Sequence, residues 1–512
     1  MKNFKIMKTN LKNLNFATKA LIIVAIFINA LSINANNLTV NVVGVTTHPS
    51  DTQRITFTVS WDQSWRTTTS PYNWDGVWLF VKVKNCGSGT WEHGKLSPVF
   101  TDHTAKSPLE VDTAFSLKDG LGHGPTFLDS NGIMLRRASA DTGNIVNDTI
   151  TFKLVNIALG DHDYKVFGVE MVYIPTGAFY LGDGSLITTP YVFRYGATNL
   201  QGLASNDATP RPYLVQNENA ITCSNAGNNL WSVAAYTPVN PIPATYPKGY
   251  QDFYCMKYEI SQGQYAEFLN NIDNAQATNR YYISSASRYT LSGTWPNLAA
   301  TAESRAINFL SWYDLCAYLD WACLRPMTEM EFEKAARGTA DPVKDEYAWG
   351  STSLVDANSI VSGTDGQFNE RVDDFITPGS GIANFNNNTV LGPLRCGYAS
   401  SKTTTRQQAG AGFYGVMELS GNVSELCVNT NEALGVSFTR LTGDGTLTSV
   451  PPVGDADVAN WPSAGSGVLG ACIRGGSWVW ANTRLRISDR FYQTNTFGGY
   501  GRSAYIGGRG VR

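Results

Sequence analysis

Charged residues are scarce in this chain of 512 residues, where they make up 16% and leave a formal net charge of −3. Binding of nucleic acid through its phosphates requires clustered lysine and arginine, so this balance argues against a nucleic-acid partner. Glycine, tyrosine and tryptophan are plentiful, with 48, 24 and 13 residues. This composition is typical of proteins rich in strands and loops, and the length suggests about two or three domains.

Soft metal ligands are also scarce. All five histidines lie before residue 171, and none has the spacing of a metal-binding pair. The eight cysteines contain no C-x-x-C motif, so we expect most of them to be small buried side chains, with room for one or two disulfides. There is no G-x-S-x-G motif and no phosphate-binding loop. The commonest signatures of hydrolases, nucleotide-binding proteins and zinc enzymes are therefore missing.

Long apolar runs are missing too. The apolar run at residues 20–31 is shorter than the about 20 residues that a membrane-spanning helix needs. Five lysines precede it, and a weak cleavage pattern follows at residues 33–35. This order predicts a signal peptide over residues 1–35. We therefore expect an exported protein, periplasmic, secreted or on the cell surface, with no transmembrane segment after signal cleavage.

Residues 36–170 have the pattern of short strands. Residues 38–42, 55–61 and 150–154 alternate apolar with polar side chains, and residues 77–83 are more continuously apolar. Gly, Pro, Asn and Asp clusters separate these runs. The pattern predicts an N-terminal β-sandwich domain over residues 36–170.

Residues 171–512 carry a series of motifs. They are M-V-Y-I-P-T-G-A-F-Y-L-G at 171–182, F-Y-C-M-K-Y-E-I-S at 253–261, L-R-P-M-T-E at 324–329, the G-F-Y-G to S-E run at 412–425, R-G-G-S-W at 474–478 and the end at 507–512. In this order they resemble the formylglycine-generating-enzyme (sulfatase-modifying factor) family. The resemblance implies a C-type-lectin-like domain with little regular secondary structure over residues 171–512, and hence an α+β protein.

Three helix starts can be predicted within this part. Ser261 with Gln264 and Thr328 with Glu331 have the spacing of capping boxes, and Ser311 is a candidate N-cap. Each is followed by apolar residues at helical spacing.

The resemblance implies a copper site held by two cysteines that follow the R-G-G-S-W motif. Here Trp480 and Leu485 occupy those positions. An indole and an isobutyl group cannot replace thiolates as copper ligands. Copper and formylglycine-generating activity are therefore not expected, and no catalytic residue is assigned.

The resemblance also implies a structural calcium site at Glu418, Gly421, Val423 and Glu425, and a second one near Asn384. Two carboxylates beside a tight glycine turn suit a cation that prefers oxygen ligands. The alternative is that the two glutamates are solvated turn residues.

Aromatic and arginine residues are interleaved near the motif. We take Trp478, Trp480, Arg484, Arg486 and Arg490 as candidate ligand-binding residues, with Tyr492, Tyr500 and Tyr505 beside them. Such a surface suits stacking on sugar rings or holding an extended peptide. Alternatively, the aromatic residues form the core and the arginines tie loops together.

Two hypotheses on function follow. The first is a non-catalytic, calcium-stabilised binding or structural protein with a protein or glycan partner at the cell surface, as in gliding or secretion machinery. The second is a divergent metal-dependent oxidoreductase of the same family without the copper-binding cysteines.

Overall fold

The computed structural model describes residues 37–47, 53–86, 89–113, 130–157, 162–185, 191–196, 211–232, 236–372, 379–387, 389–401, 403–462, 470–492 and 501–512. The expected signal peptide and Tyr500 lie outside these residues. In the described part of the chain, no helix combines the length and the apolar character needed to cross a membrane.

The first part of the described chain is built from strands. They are β1 (Thr39–Thr47), β2 (Gln53–Arg66), β3 (Asp75–Asn85), β4 (Trp91–Gly94), β5 (Leu109–Val111), β6 (Ile133–Arg137), β7 (Asp141–Leu154) and β8 (His162–Ile174). The strands predicted at 55–61, 77–83 and 150–154 lie within β2, β3 and β7. Buried and half-buried residues alternate through most of β2, as expected for a strand with one face on a core.

The second part mixes short strands with a few helices, which agrees with the predicted α+β class. The strands are β9 (Phe179–Leu181), β10 (Arg194–Tyr195), β11 (Tyr213–Val215), β12 (Leu230–Trp231), β13 (Phe253–Met256), β14 (Leu291–Ser292), β15 (Ala299–Ala300), β16 (Arg325–Pro326), β17 (Leu354–Asp356), β18 (Ile360–Ser362), β19 (Arg371–Val372), β20 (Gly381–Ala383), β21 (Ser424–Val428), β22 (Ala471–Arg474), β23 (Ile506–Gly507) and β24 (Gly510–Val511). The helices are α1 (Gln262–Asn270), α2 (Asn274–Arg280), α3 (Trp312–Trp321), α4 (Glu329–Arg337) and α5 (Ala433–Val436).

The predicted helix starts are confirmed. The Ser261 side chain accepts a hydrogen bond from the Gln264 backbone N–H, and the Gln264 side chain accepts one from the Ser261 N–H, before α1. Thr328 and Glu331 form the same reciprocal pair before α4, and Ser311 caps α3. Each pair satisfies two backbone N–H groups that a helix start leaves without partners.

Two sheets share the apolar core of the first part. The smaller sheet is antiparallel, with the order β1-β2-β7. Phe57 of β2 and Phe152 of β7 pack edge to face with centroids 5.0 Å apart. They lie in one buried cluster with Val77 and Leu79 of β3, a strand of the larger sheet. The sandwich topology predicted for residues 36–170 remains a prediction.

β8 carries the larger sheet across residue 170, where we predicted the domain boundary. β8 pairs antiparallel with β3 along most of its length and, through its last four residues, with β13. The sheet order is β16-β24-β13-β8-β3-β6-β5, with β4 also paired to β3. β24 is the last strand along the chain and β3 is one of the first. The two ends of the described chain therefore share one hydrogen-bonded sheet.

Lys257 joins two carboxylates at this junction. Its Nζ lies 3.3 Å from Asp75 Oδ2 and 3.1 Å from Glu170 Oε2, and all three residues are buried. The ammonium also lies 4.9 Å from the centroid of the Trp65 ring, a favourable position over an aromatic face. The three ionic groups belong to different strands or loops, so the cluster ties the two parts of the sheet together.

Replacing Lys257 by methionine should lower the free energy of unfolding by about 3–5 kcal/mol, because Asp75 and Glu170 would stay buried without their cation. Urea unfolding would measure this loss. Lys84→Met is the control, since Lys84 pairs with Asp163 nearer the surface, at 28% and 55% side-chain exposure. That change should cost less than about 1 kcal/mol. Equal losses in both variants would contradict the role of Lys257.

Candidate functional site

A glycine turn follows β22 and sets the geometry of the candidate site. β22 pairs antiparallel with β21, which places Arg474 opposite Glu425. Gly475 and Gly476 have φ of 81° and 66°, a conformation that glycine adopts at little cost. A Cβ on Gly476 would lie 2.7 Å from Leu485 Cδ1. The turn therefore needs glycine here and holds Leu485 against it.

Leu485 and Trp480, at the two expected cysteine positions, have different surroundings. Leu485 is completely buried in an apolar cluster. Trp480 is half-buried, and its ring lies 5.0 Å from the Tyr492 ring and 5.2 Å from the Tyr505 ring. The Trp480 Nε1 is buried and meets no acceptor among the described residues. Neither side chain offers a metal ligand, and the leucine position is closed by packing.

The nearby cysteines are buried, which disfavours their thiolate form. Cys427 and Cys472 are direct partners in the β21–β22 ladder, and burial raises the pKa of both thiols well above the usual value. Burial also raises the pKa of Cys255 to about 12. A protonated thiol is a poor nucleophile and metal ligand. Within the described ranges, no cysteine belongs to a group of three side chains placed to hold a metal.

Arg474 and Arg490 converge on Glu329 in the interior. Arg474 Nη1 lies 3.0 Å from Glu329 Oε2, and its Nη2 lies 2.8 Å from Glu333 Oε1. Arg490 donates from Nε to Glu329 Oε2 at 2.8 Å and from Nη2 to Oε1 at 3.0 Å. Burial acts to raise the pKa of Glu329, but Arg490 and Arg474 outweigh it and lower the pKa to about 2.

Burial divides the five candidate ligand-binding residues. Trp478 is buried and donates from Nε1 to a backbone carbonyl 3.1 Å away, and Arg490 is completely buried, so neither has surface to offer a ligand. Arg484 and Arg486 are half-buried, and each is paired with an aspartate, at 3.1 and 2.8 Å. With Trp480 they are the candidates that keep exposed surface. Their role in binding stays a prediction.

The residues predicted to hold calcium lie in one buried region. Asn384 and Gly421 are in close contact, since a Cβ on Gly421 would lie 2.6 Å from Asn384 O. Glu418, Val423 and Glu425 are all buried. Burial raises the pKa of Glu418 to about 7, and the charge of Glu425 adds to this rise. The two glutamates are therefore not solvated turn residues.

Among the described residues, each of these glutamates has one carboxylate oxygen with a partner and one without. Glu418 Oε1 accepts from Gly397 N at 3.0 Å, and Glu425 Oε1 lies 2.6 Å from Arg509 Nη2. Glu418 Oε2 and Glu425 Oε2 are buried and meet no donor among the described residues. A buried carboxylate oxygen without a partner is costly. A calcium ion would satisfy such oxygens, so the residues fit the predicted group.

The Glu259 side chain, which no sequence motif singled out as functional, supports the loop at residues 422–423. Glu259 Oε1 accepts from Val423 N at 3.0 Å, and Oε2 accepts from Asn422 Nδ2 at 2.5 Å. Burial raises its pKa well above the usual value, and the charge of Glu418 adds to the effect. The motif at 253–261 contains this glutamate, but its partners lie more than 160 positions further along the chain.

Asp320, Asp444 and Asp457 form a second acidic group that the sequence did not predict. Their carboxylate oxygens lie within 4.8 Å of one another. The two oxygens of Asp320 accept the backbone N–H groups of Asp444 and Asp457, at 3.0 and 3.2 Å. Burial raises the pKa of Asp320 to about 8. Through these two hydrogen bonds, Asp320 of α3 anchors the segment that contains Asp444 and Asp457. This structural role explains the acidic group.

Acidification should destabilise the protein through Glu329. Its pKa of about 2 in the folded protein lies below the ordinary 4.5, so its stabilising effect is present above about pH 4.5 and is lost as the pH falls towards 2. The loss should reach about 3 kcal/mol. Glu329→Gln should be less stable at neutral pH and lack this part of the acid dependence in urea unfolding at several pH values. Glu92→Gln, at an exposed position, should keep it. An unchanged acid dependence in Glu329→Gln would contradict the assignment.

Comparison with known protein families identifies the family of the second part of the chain. Residues 168–512 match the FGE-sulfatase family, described as the sulfatase-modifying factor enzyme 1-like domain. The matched region extends from β8 to the end of the chain and includes the glycine turn after β22. A search of curated proteins found no match.

Proposed function

The chain belongs to the sulfatase-modifying factor enzyme 1-like (FGE-sulfatase) family, and we propose that it is an exported, non-catalytic member that serves as a binding or structural protein. The observation that carries this proposal is the complete burial of Leu485. Leu485 is completely buried and packs against the glycine turn. Copper chemistry at this position would need a thiolate and access for substrate, and a packed leucine provides neither.

Calcium is the ion that the proposal assigns to this domain. Glu418 and Glu425 would bind it through the carboxylate oxygens that meet no donor among the described residues, with backbone oxygens of Gly421 and Val423. The second calcium site near Asn384 stays a prediction. Calcium prefers six to eight oxygen ligands, and bound calcium stabilises the folded state by mass action. In this role the ion would coordinate the Glu418 and Glu425 oxygens that accept no hydrogen bond from the described residues.

A position outside the cytoplasm is the remaining part of the proposal. It is supported by the signal-peptide pattern of residues 1–35. A protein or glycan at the cell surface, such as a component of gliding or secretion machinery, is the partner we propose. The half-buried Trp480 and its tyrosine neighbours support a binding role, because such rings are well suited to recognition.

One observation favours the alternative of a divergent oxidoreductase. Asp489 lies near the same turn, and burial raises its pKa to about 6 although Arg484 lowers it. A carboxyl group with such a pKa is suited to proton transfer near neutral pH. The alternative would still need a redox metal held by ligands other than cysteine.

Metal and oxygen measurements separate the two candidates. The purified protein should contain far less than one equivalent of copper or iron by mass spectrometry, and it should not consume oxygen with a cysteine-containing peptide. Stoichiometric copper or iron together with oxygen uptake would overturn the non-catalytic proposal. Calcium as the only bound metal would exclude the oxidoreductase.

Calcium should stabilise the wild-type protein and not the Glu418→Gln variant. Removal of calcium with a chelator should lower the melting temperature, and calcium at a hundred times its dissociation constant should restore about 2.7 kcal/mol. Glutamine can keep the hydrogen bond from Gly397 but loses the charge that calcium needs. Glu92→Gln is the control and should respond like the wild type. No bound calcium and no thermal response in the wild type would refute this part.

A further inference from the structure

Six aromatic side chains near the glycine turn form an unbroken series of ring contacts. We name it the aromatic ribbon; in spatial order it consists of Tyr236, Tyr191, Phe491, Tyr492, Trp480 and Tyr505. Successive ring centroids lie 4.0, 5.8, 4.9, 5.0 and 5.2 Å apart. All six residues are half-buried, so each keeps part of its surface exposed. The six rings are therefore not only a part of the core.

The fold holds one end of the ribbon in an unfavourable backbone conformation. Tyr191 has φ of 62°, which bulky residues rarely adopt. Its carbonyl accepts a hydrogen bond from Ser232 Oγ at 2.8 Å, and its ring is stacked on Tyr236 with an interplanar angle of 6°. Such conformations persist only where surrounding contacts require them, and they are frequent at binding sites.

The arginines described beside the ribbon are already paired. The Arg484 guanidinium lies 3.5 Å from the centroid of the Phe491 ring, and its Nη1 lies 3.1 Å from Asp489 Oδ2. Arg490 is buried against Glu329. An anionic polymer would have to compete with these carboxylates for the arginines. A neutral ligand would not, so the charge distribution favours a neutral one.

We propose that the aromatic ribbon binds an extended neutral glycan, with sugar rings stacked on the aromatic rings and sugar hydroxyl groups bonded to the tyrosine hydroxyls. This inference rests on the proposed function as a non-catalytic binding protein and names its partner class. Tyrosine and tryptophan combine an apolar face with a polar group, which matches the apolar faces and hydroxyl edges of sugars. Nucleic-acid bases also stack on such rings, but their phosphates need free cations.

Trp480 is the ring that should contribute most to binding. It lies between Tyr492 and Tyr505 in the ribbon, and its buried Nε1 meets no acceptor among the described residues. The exposed part of the ring, and not this enclosed N–H group, is therefore what a sugar ring could stack on.

Affinity electrophoresis of the mature full-length protein tests the proposal. Native gels would contain hydroxyethylcellulose, laminarin, mannan or dextran as neutral glycans, and polygalacturonate or gelatin as anionic and polypeptide probes. At least one neutral glycan should retard the protein. Trp480→Ala should weaken that interaction by about tenfold or more, as expected for a central aromatic contact. Trp480→Phe keeps a ring and should retain more of the binding than alanine.

Tyr282→Ala is the matched control, because Tyr282 is also half-buried and stacks on Phe309, outside the ribbon. It should bind like the wild type. Thermal unfolding of each variant checks that it is folded. No retardation by any neutral glycan, retardation only by polygalacturonate or gelatin, or unchanged binding by Trp480→Ala would each overturn the inference. The metal and oxygen measurements test the proposed function separately, so its failure would be recognised independently.

Discussion

The pairing of Glu329 with Arg474 and Arg490 is the interaction on which the second part of the structure most depends. α4, β22 and the segment after the glycine turn each contribute one of these residues, so a single buried ionic group connects three distant segments. A domain of short strands and long loops has few backbone ladders to define its shape. Buried charges that are paired provide that definition, because any displaced arrangement leaves an unpaired charge in the interior. Arg509 and Glu425 act in the same way at the end of the chain.

The glycine turn is held without any contribution from a thiol. The turn at Gly475 and Gly476 is held by its own backbone conformation and by Arg474. Leu485 is part of the apolar core, where it contributes packing and offers no ligand atom. Trp480, at the other expected cysteine position, is only half-buried and has aromatic neighbours. A surface of this kind is suited to recognition by contact, which needs no metal and no reactive thiol.

Local spacing was enough to predict some features and not others. The helix start at Ser261 was predictable because a capping box involves residues three positions apart. The strand order of the larger sheet was not predictable. Alternation of apolar residues indicates which face of a strand is buried, but it does not indicate which strand lies beside it. Arg490 was a candidate for ligand binding, yet its partner Glu329 lies 161 positions away in the chain. Glu259 was missed for the same reason, since its bonds to the loop at 422–423 are visible only in three dimensions.

The sequence by itself determined the family resemblance, the three helix starts and the presence of Trp480 and Leu485 after the R-G-G-S-W motif, because these depend on residue identity and short spacing. Only the tertiary structure decided that Leu485 is enclosed while Trp480 keeps an exposed surface. It also decided that rings from distant segments, those of residues 191, 236, 480, 491, 492 and 505, form one series of contacts. The physical reason is that burial and ring contacts arise between segments far apart in the chain, which no local pattern brings together.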